Sequence, residues 1–119
     1  MNMNSPSLPN PQKVTIDGCL DVINMCNDEL ELTLDFIRNS CPTEDGLSIV
    51  LYVKDLKRLK AEMYKMIDLI KEIRKIEKSN SFDLNESFAK RSRMRALVSA
   101  NAILCAQLEQ TRPSKLPKS

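Results

Sequence analysis

The side chains with the strongest latent chemistry in this 119-residue chain are four cysteines, Cys19, Cys26, Cys41 and Cys105. Thiols used for metal binding or redox exchange commonly stand as C-x-x-C, and no two of these are that close. Cys19 and Cys26 share a helical face, but a zinc site needs further ligands, and the sequence contains no histidine to supply one. The lack of histidine also removes the usual general base near neutral pH. With only Gly18 and Gly46 there is no glycine-rich loop to cradle a phosphate. The carboxylates recur at helical spacing on faces that read as solvated. The expectation is therefore a protein that is not an enzyme, with no catalytic residue, no metal and no cofactor. Its cysteines read as small apolar residues of a reduced intracellular chain.

Two short segments carry binding chemistry instead. Lys90, Arg91, Arg93 and Arg95 form the densest basic cluster. Lys90-Arg91-Ser92-Arg93 fits a loose nuclear-import pattern, and such a cluster can also hold phosphates. On a helix these residues fan around the axis, and no aromatic lies between them for base stacking, so nucleic acid is not the favoured partner. The other reading of the cluster is a solvated or partner-facing turn.

The second segment is the C-terminal PSKLPKS, residues 113–119. Ser114, Lys115, Leu116 and Pro117 resemble the S-x-[I/L]-P peptide by which many microtubule plus-end proteins bind the end-binding family. Arg112, Lys115 and Lys118 match its basic flanks. The resemblance covers four residues, and Leu116 stands where isoleucine is usual, which implies weaker binding. It also implies that Leu116 fills an apolar pocket while Pro117 keeps it extended and the bases face an acidic surface. The alternative is a solvated basic tail.

The elements that position these segments are helices. Glycine and aromatic residues are scarce, whereas Leu, Ile, Met, Lys and Glu dominate the middle of the chain. Residues 1–13 hold three prolines and no periodic pattern, and read as a disordered lead without the apolar core of a signal peptide. The net charge of +2 steers the chain toward neither nucleic acid nor membrane, and no apolar run is long enough to cross a bilayer.

Three helices are predicted, over about 15–39, 44–78 and 83–110, within one helical domain at 14–110. Thr15 and Thr43 suit N-cap positions, and Asp83 with Glu86 resembles a capping box. In the first helix Ile16, Leu20, Ile23, Asn27, Leu30, Leu34 and Ile37 alternate steps of four and three. In the second, Ile49, Tyr52, Leu56, Leu59, Met63, Met66, Ile70 and Ile73 do the same without a break. In the third, Met94, Leu97, Asn101, Leu104 and Leu108 make a similar seam, and residues 96–106 are apolar nearly all round. These are the seams of a narrow bundle or coiled coil.

Residues 16–40 carry six acids and one arginine, and residues 47–78 nine bases and five acids, so the first two helices should pair antiparallel. Asn27 and Asn101 then fall at one height, where a shared hydrogen bond would specify register. The alternative is that one or both tilt to the surface.

The predicted architecture is thus an all-α, antiparallel three-helix hairpin bundle with disordered termini, residues 111–119 forming a disordered basic tail. The predicted role is a non-enzymatic helical adaptor or small subunit of a multiprotein assembly. Its partner-binding seam would be Leu56, Leu59, Met63, Met66, Ile70, Ile73, Leu97, Ile103 and Leu104, serving homo- or hetero-oligomers of helical proteins. A cytoskeletal or cell-division link through the end-binding-type peptide would place it in the cytoplasm. The alternative is a nuclear regulatory or chromatin-complex subunit using the basic cluster.

Overall fold

The computed structural model describes residues 14–39, 46–79 and 83–117. The cap expected at Thr43, the thiol of Cys41 and the ends 1–13 and 118–119 lie outside them. The chain is all-α: α1 spans Ile16–Asn39, α2 Gly46–Glu77 and α3 Leu84–Thr111. Packing is sequential, with α1 and α3 both laid against α2, and the molecule measures 59 × 26 × 20 Å.

Local chemistry sets the visible helix starts. The Thr15 hydroxyl accepts from Gly18 N at 3.0 Å. The Asp83 carboxylate accepts from Asn85 N at 2.9 Å and Glu86 N at 3.2 Å, which satisfies two otherwise orphaned donors of α3.

Contacts show the antiparallel course. Along α2, Tyr52, Met66 and Glu72 meet Arg112, Asn101 and Lys90 in turn, so one partner's number rises as the other's falls. On the other side Glu29 meets Tyr52, while Val14 reaches the surface formed by Ile70 and Ile73.

The eight seam residues of α2 are all buried, joined by Ile67 and Leu69. A middle helix flanked on two sides must hide more than one stripe, which is why its burial spreads beyond the seam. The buried line of α1 is not the expected one. Cys19, Val22, Ile23, Cys26, Glu29 and Thr33 face the core, whereas Leu20, Leu34 and Ile37 are exposed. The stripe is turned by about one residue and carries small side chains. Thr33 can be buried because its hydroxyl donates back to the Glu29 carbonyl at 2.7 Å.

Charge does not bind α1 to α2 as directly as the net values predict. Among the described residues no ion pair joins those two helices. The pairs between elements are Lys90 with Glu72 and Arg91 with Glu77, from α3 to α2, and Arg112 with Glu29.

The helices are staggered. The end of α3 arrives at Tyr52, so the last turns of α1 and residues 46–51 of α2 project past it as a two-helix tip. At the opposite end α1 begins beside Ile70 and Ile73, and the last turn of α2 runs on with the start of α3. No helix among the described residues is long and apolar enough to cross a membrane.

Candidate functional site

At the α1–α2 end a polar clasp closes the bundle. Glu29, only 7% exposed, sits on the buried stripe of α1 where an apolar residue would ordinarily lie. Arg112, just past α3, meets it as a fork, with Nε 3.0 Å from Oε1 and Nη2 3.4 Å from Oε2. The Tyr52 phenol lies beside this pair, near enough to feel both charges. Burial, then the nearby Glu29 charge, pushes the Tyr52 phenol far above its usual range, so it remains neutral. Desolvation alone would lower Arg112, but its hydrogen bonds and attraction to Glu29 outweigh that and hold it above its ordinary value. The clasp leaves no buried side-chain nitrogen or oxygen unpartnered among the described residues.

The clasp also holds the described part of the segment expected as a basic tail at 111–119. Arg112 donates to the backbone carbonyls of Leu116 (3.5 Å) and Pro117 (2.7 Å). A turn closes with Leu116 N donating to Pro113 O at 3.1 Å, and Leu116, 3% exposed, joins the core. Ser114 and Lys115 lie on the outside of that turn and Pro117 is exposed. The apolar side chain that would enter an end-binding partner is therefore already seated within this chain. A leucine beside two prolines reads locally as loop, and its burial follows from a pairing 83 residues apart in sequence.

The expected partner-binding seam is largely spent on the chain's own core. Leu56, Leu59, Met63, Met66, Ile70, Ile73 and Leu104 are buried and Leu97 is partly buried, because α2 lies between the other two helices. Ile103, 64% exposed, is the member that faces outward. The asparagine layer does not form. Asn101, 2% exposed, donates to Met66 Sδ at 3.6 Å, while Asn27 is half-buried beside the α1 stripe. The reason is the sequential packing, which interposes α2 and keeps the backbones of α1 and α3 apart.

The basic cluster is divided. Lys90 pairs with Glu72 at 3.1 Å and Arg91 with Glu77, whereas Arg93 and Arg95 point outward. Cys19, Cys26 and Cys105 are free and buried. Burial raises all three thiols, Cys26 and Cys105 to about 11, so they are protonated and poor nucleophiles near neutrality.

Among the described residues, two surfaces stand out as accessible to partners. One is the two-helix tip, where Leu34 and Ile37 of α1 and Leu47, Val50 and Leu51 of α2 are exposed, Leu47 by 76%. The other is a groove of about 370 Å³ at the opposite end, floored by Ile70, Ile73 and Met94 and bordered by Val14, Arg74, Glu77, Arg91 and Arg95. Sequence reading missed both, because each arises from where a neighbouring helix stops. No family model matches the chain, and no curated protein or solved structure shows significant similarity to it.

Proposed function

We propose that this chain is a non-enzymatic helical adaptor or small subunit of a larger protein assembly. The observation that carries this reading is the apolar tip, where five large aliphatic side chains from two helices project together into solvent. Scattered exposed leucines are ordinary, but five large aliphatics exposed at one end of a helix pair suggest a surface that a partner covers. A partner helix or sheet edge laid across it would bury Leu47 and Val50 at its centre.

The test is to replace Leu47, Val50 and Leu51 together with glutamine in the full chain. These side chains are outside the core, so the circular dichroism spectrum and unfolding midpoint should stay close to those of the parent. Quantitative affinity purification from cells should lose the stably associated proteins. Retention of the same proteins at the same stoichiometry would overturn the reading.

The finer role of a cytoskeletal or cell-division adaptor rests on the Ser114–Pro117 peptide and requires the clasp to open. Arg112→Ala, which frees the segment, should then increase plus-end tracking in cells. Tracking that is absent in both forms would remove the microtubule link and leave the adaptor reading intact.

A further inference from the structure

Resting on the reading of the chain as an adaptor, we infer that the groove at the α2–α3 end is the seat of an acidic amphipathic helix supplied by a partner protein. The groove exists because α1 begins beside Ile70 and Ile73 while α2 continues to Glu77, so that among the described residues no third helix covers the last turn of the bundle. Its floor is apolar and nearly buried already, with Ile70, Ile73 and Met94 each retaining a few per cent exposure. Those three residues form the bottom of the groove, while its charged rim supplies most of the surface a partner would meet.

The rim states the charge of the occupant. Arg74, Arg91 and Arg95 border the groove against a single acid, Glu77, which already pairs with Arg91. On α3, Leu84, Phe88, Arg91 and Arg95 recur at steps of four, three and four, so they lie along one stripe. Leu84 and Phe88 are exposed by 71% and 66%, and supply accessible apolar side chains on the same stripe as the two arginines. A helix with apolar residues at i, i+3, i+4 and i+7 would lay them on this floor, and carboxylates on its flanks would meet the arginines.

The chain's own sequence does not supply such a helix. Residues 1–13, which precede Val14, contain no acid, three prolines and a lysine, so their charge repels the rim and their prolines oppose a helix. The acid-rich segment of this chain is α1, which is already packed against α2. Charge complementarity therefore favours a different protein over the lead; a second copy, whose α1 carries exposed acids, is the competing occupant that sedimentation tests.

The experiment uses the full chain and two synthetic amphipathic peptides of about four helical turns. Both carry the same leucine pattern, one with glutamates on its flanks and the other with lysines. The glutamate peptide should shift the methyl resonances of Ile70, Ile73 and Met94 without moving those of Leu47 and Leu51. The lysine peptide should shift none of them. Arg74→Glu with Arg95→Glu, both at exposed positions, should weaken the glutamate peptide by about tenfold or more, and added salt should weaken it further. Arg74→Gln with Arg95→Gln should give a smaller loss and controls for any effect of reversed charge on folding.

Equal binding of the two peptides, absence of shifts at the floor, or indifference to the arginine variants would overturn the inference. Floor shifts on deleting residues 1–12, or a concentration-dependent mass in sedimentation abolished by the same arginine variants, would assign the groove to the lead or to a second copy and equally overturn it. Loss of cellular partners by the tip variant, with no peptide binding here, would retain the adaptor and dismiss this seat.

Discussion

The two ends of the bundle solve the same geometric problem differently. At each, one of the three helices stops short and leaves a hairpin with one side uncovered. At the α1–α2 end the gap beside α3 is filled by the chain itself, with Leu116 as the plug and Glu29, Tyr52 and Arg112 as the fastening. At the α2–α3 end the gap above Val14 is a groove whose apolar floor is ringed by cations. The first end fills its gap beside α3 and leaves only the aliphatic tip beyond it exposed, whereas the second leaves the gap itself as surface. The difference teaches that a short bundle can use termini to complete its core, so that the same kind of gap is structural at one end and available at the other.

The most severe way to break the comparison is Glu29→Ala. It leaves the Arg112 guanidinium and the Tyr52 hydroxyl facing each other without a carboxylate. Removing one partner of a buried ion pair costs about 3–5 kcal/mol, and the lower figure applies because Arg112 keeps backbone acceptors and some solvent contact. Urea unfolding should therefore show a loss of about 3 kcal/mol. A loss below about 1 kcal/mol would reduce the clasp to the standing of a surface pair. Glu29→Leu combined with Arg112→Leu should recover much of the loss, since apolar residues of similar size can replace a buried pair.

Between the two ends lie Cys26 and Cys105, whose thiols burial raises to about 11 against an ordinary value of 9.0. The sign follows from linkage. A thiol that holds its proton more tightly when folded contributes its full stability below the unfolded value. That contribution is lost as pH rises through the folded value. Stability should thus be flat below about pH 8 and decline between 9 and 11, with a loss of about 1 kcal/mol per thiol near pH 10. Cys26→Ala with Cys105→Ala should flatten that decline while lowering stability at neutral pH. An unchanged alkaline slope would place the titrating groups elsewhere.

Leu116→Ala sharpens the comparison by asking whether the plug belongs to the cooperative core. A buried leucine in a fixed core costs about 2–5 kcal/mol when truncated. Here the segment can undock without unfolding the helices, which caps the loss at its docking free energy, about 1–2 kcal/mol. Amide exchange at Leu116 should accelerate and trypsin should cut at Lys115 faster, with α2 protection little changed. A loss in the full range, with α2 exchange accelerating in parallel, would make the plug inseparable from the bundle.

How far the sequence discloses this arrangement depends on the range of the forces involved. The seam of α2 is legible from Ile49 to Ile73 because a helix between two neighbours must bury a continuous stripe, and periodicity records that requirement locally. The Thr15 and Asp83 caps are legible for the same reason, since each involves residues two or three positions away. In α1 the periodicity of Leu20, Leu34 and Ile37 misleads. Those residues are the more apolar, but α1 packs against α2 alone, so the side of α1 turned away from α2 has no second helix to cover it. Cys19, Cys26 and Thr33 are buried by virtue of being small enough for close approach. The clasp is written in three residues scattered from position 29 to 112, and the groove in the place where α1 begins. Neither has a local pattern to reveal it.

The smallest expected effect is at the open end, and it decides whether that end is fastened at all. Arg91 pairs with Glu77 across the border of the groove, yet both side chains stay roughly half exposed. Water competes for each of them, and holding two long side chains together costs rotamer entropy. Arg91→Ala should therefore change stability by no more than about 0.5 kcal/mol in urea unfolding, against the loss of about 3 kcal/mol at Glu29. The contrast does not come from geometry alone, because both pairs join carboxylate to guanidinium. It comes from solvent, which is excluded around Glu29 by Tyr52 and the docked tail and is present around Glu77. If Arg91→Ala cost as much as Glu29→Ala, the α2–α3 end would be a second clasp, and its arginines would be committed to holding the bundle closed.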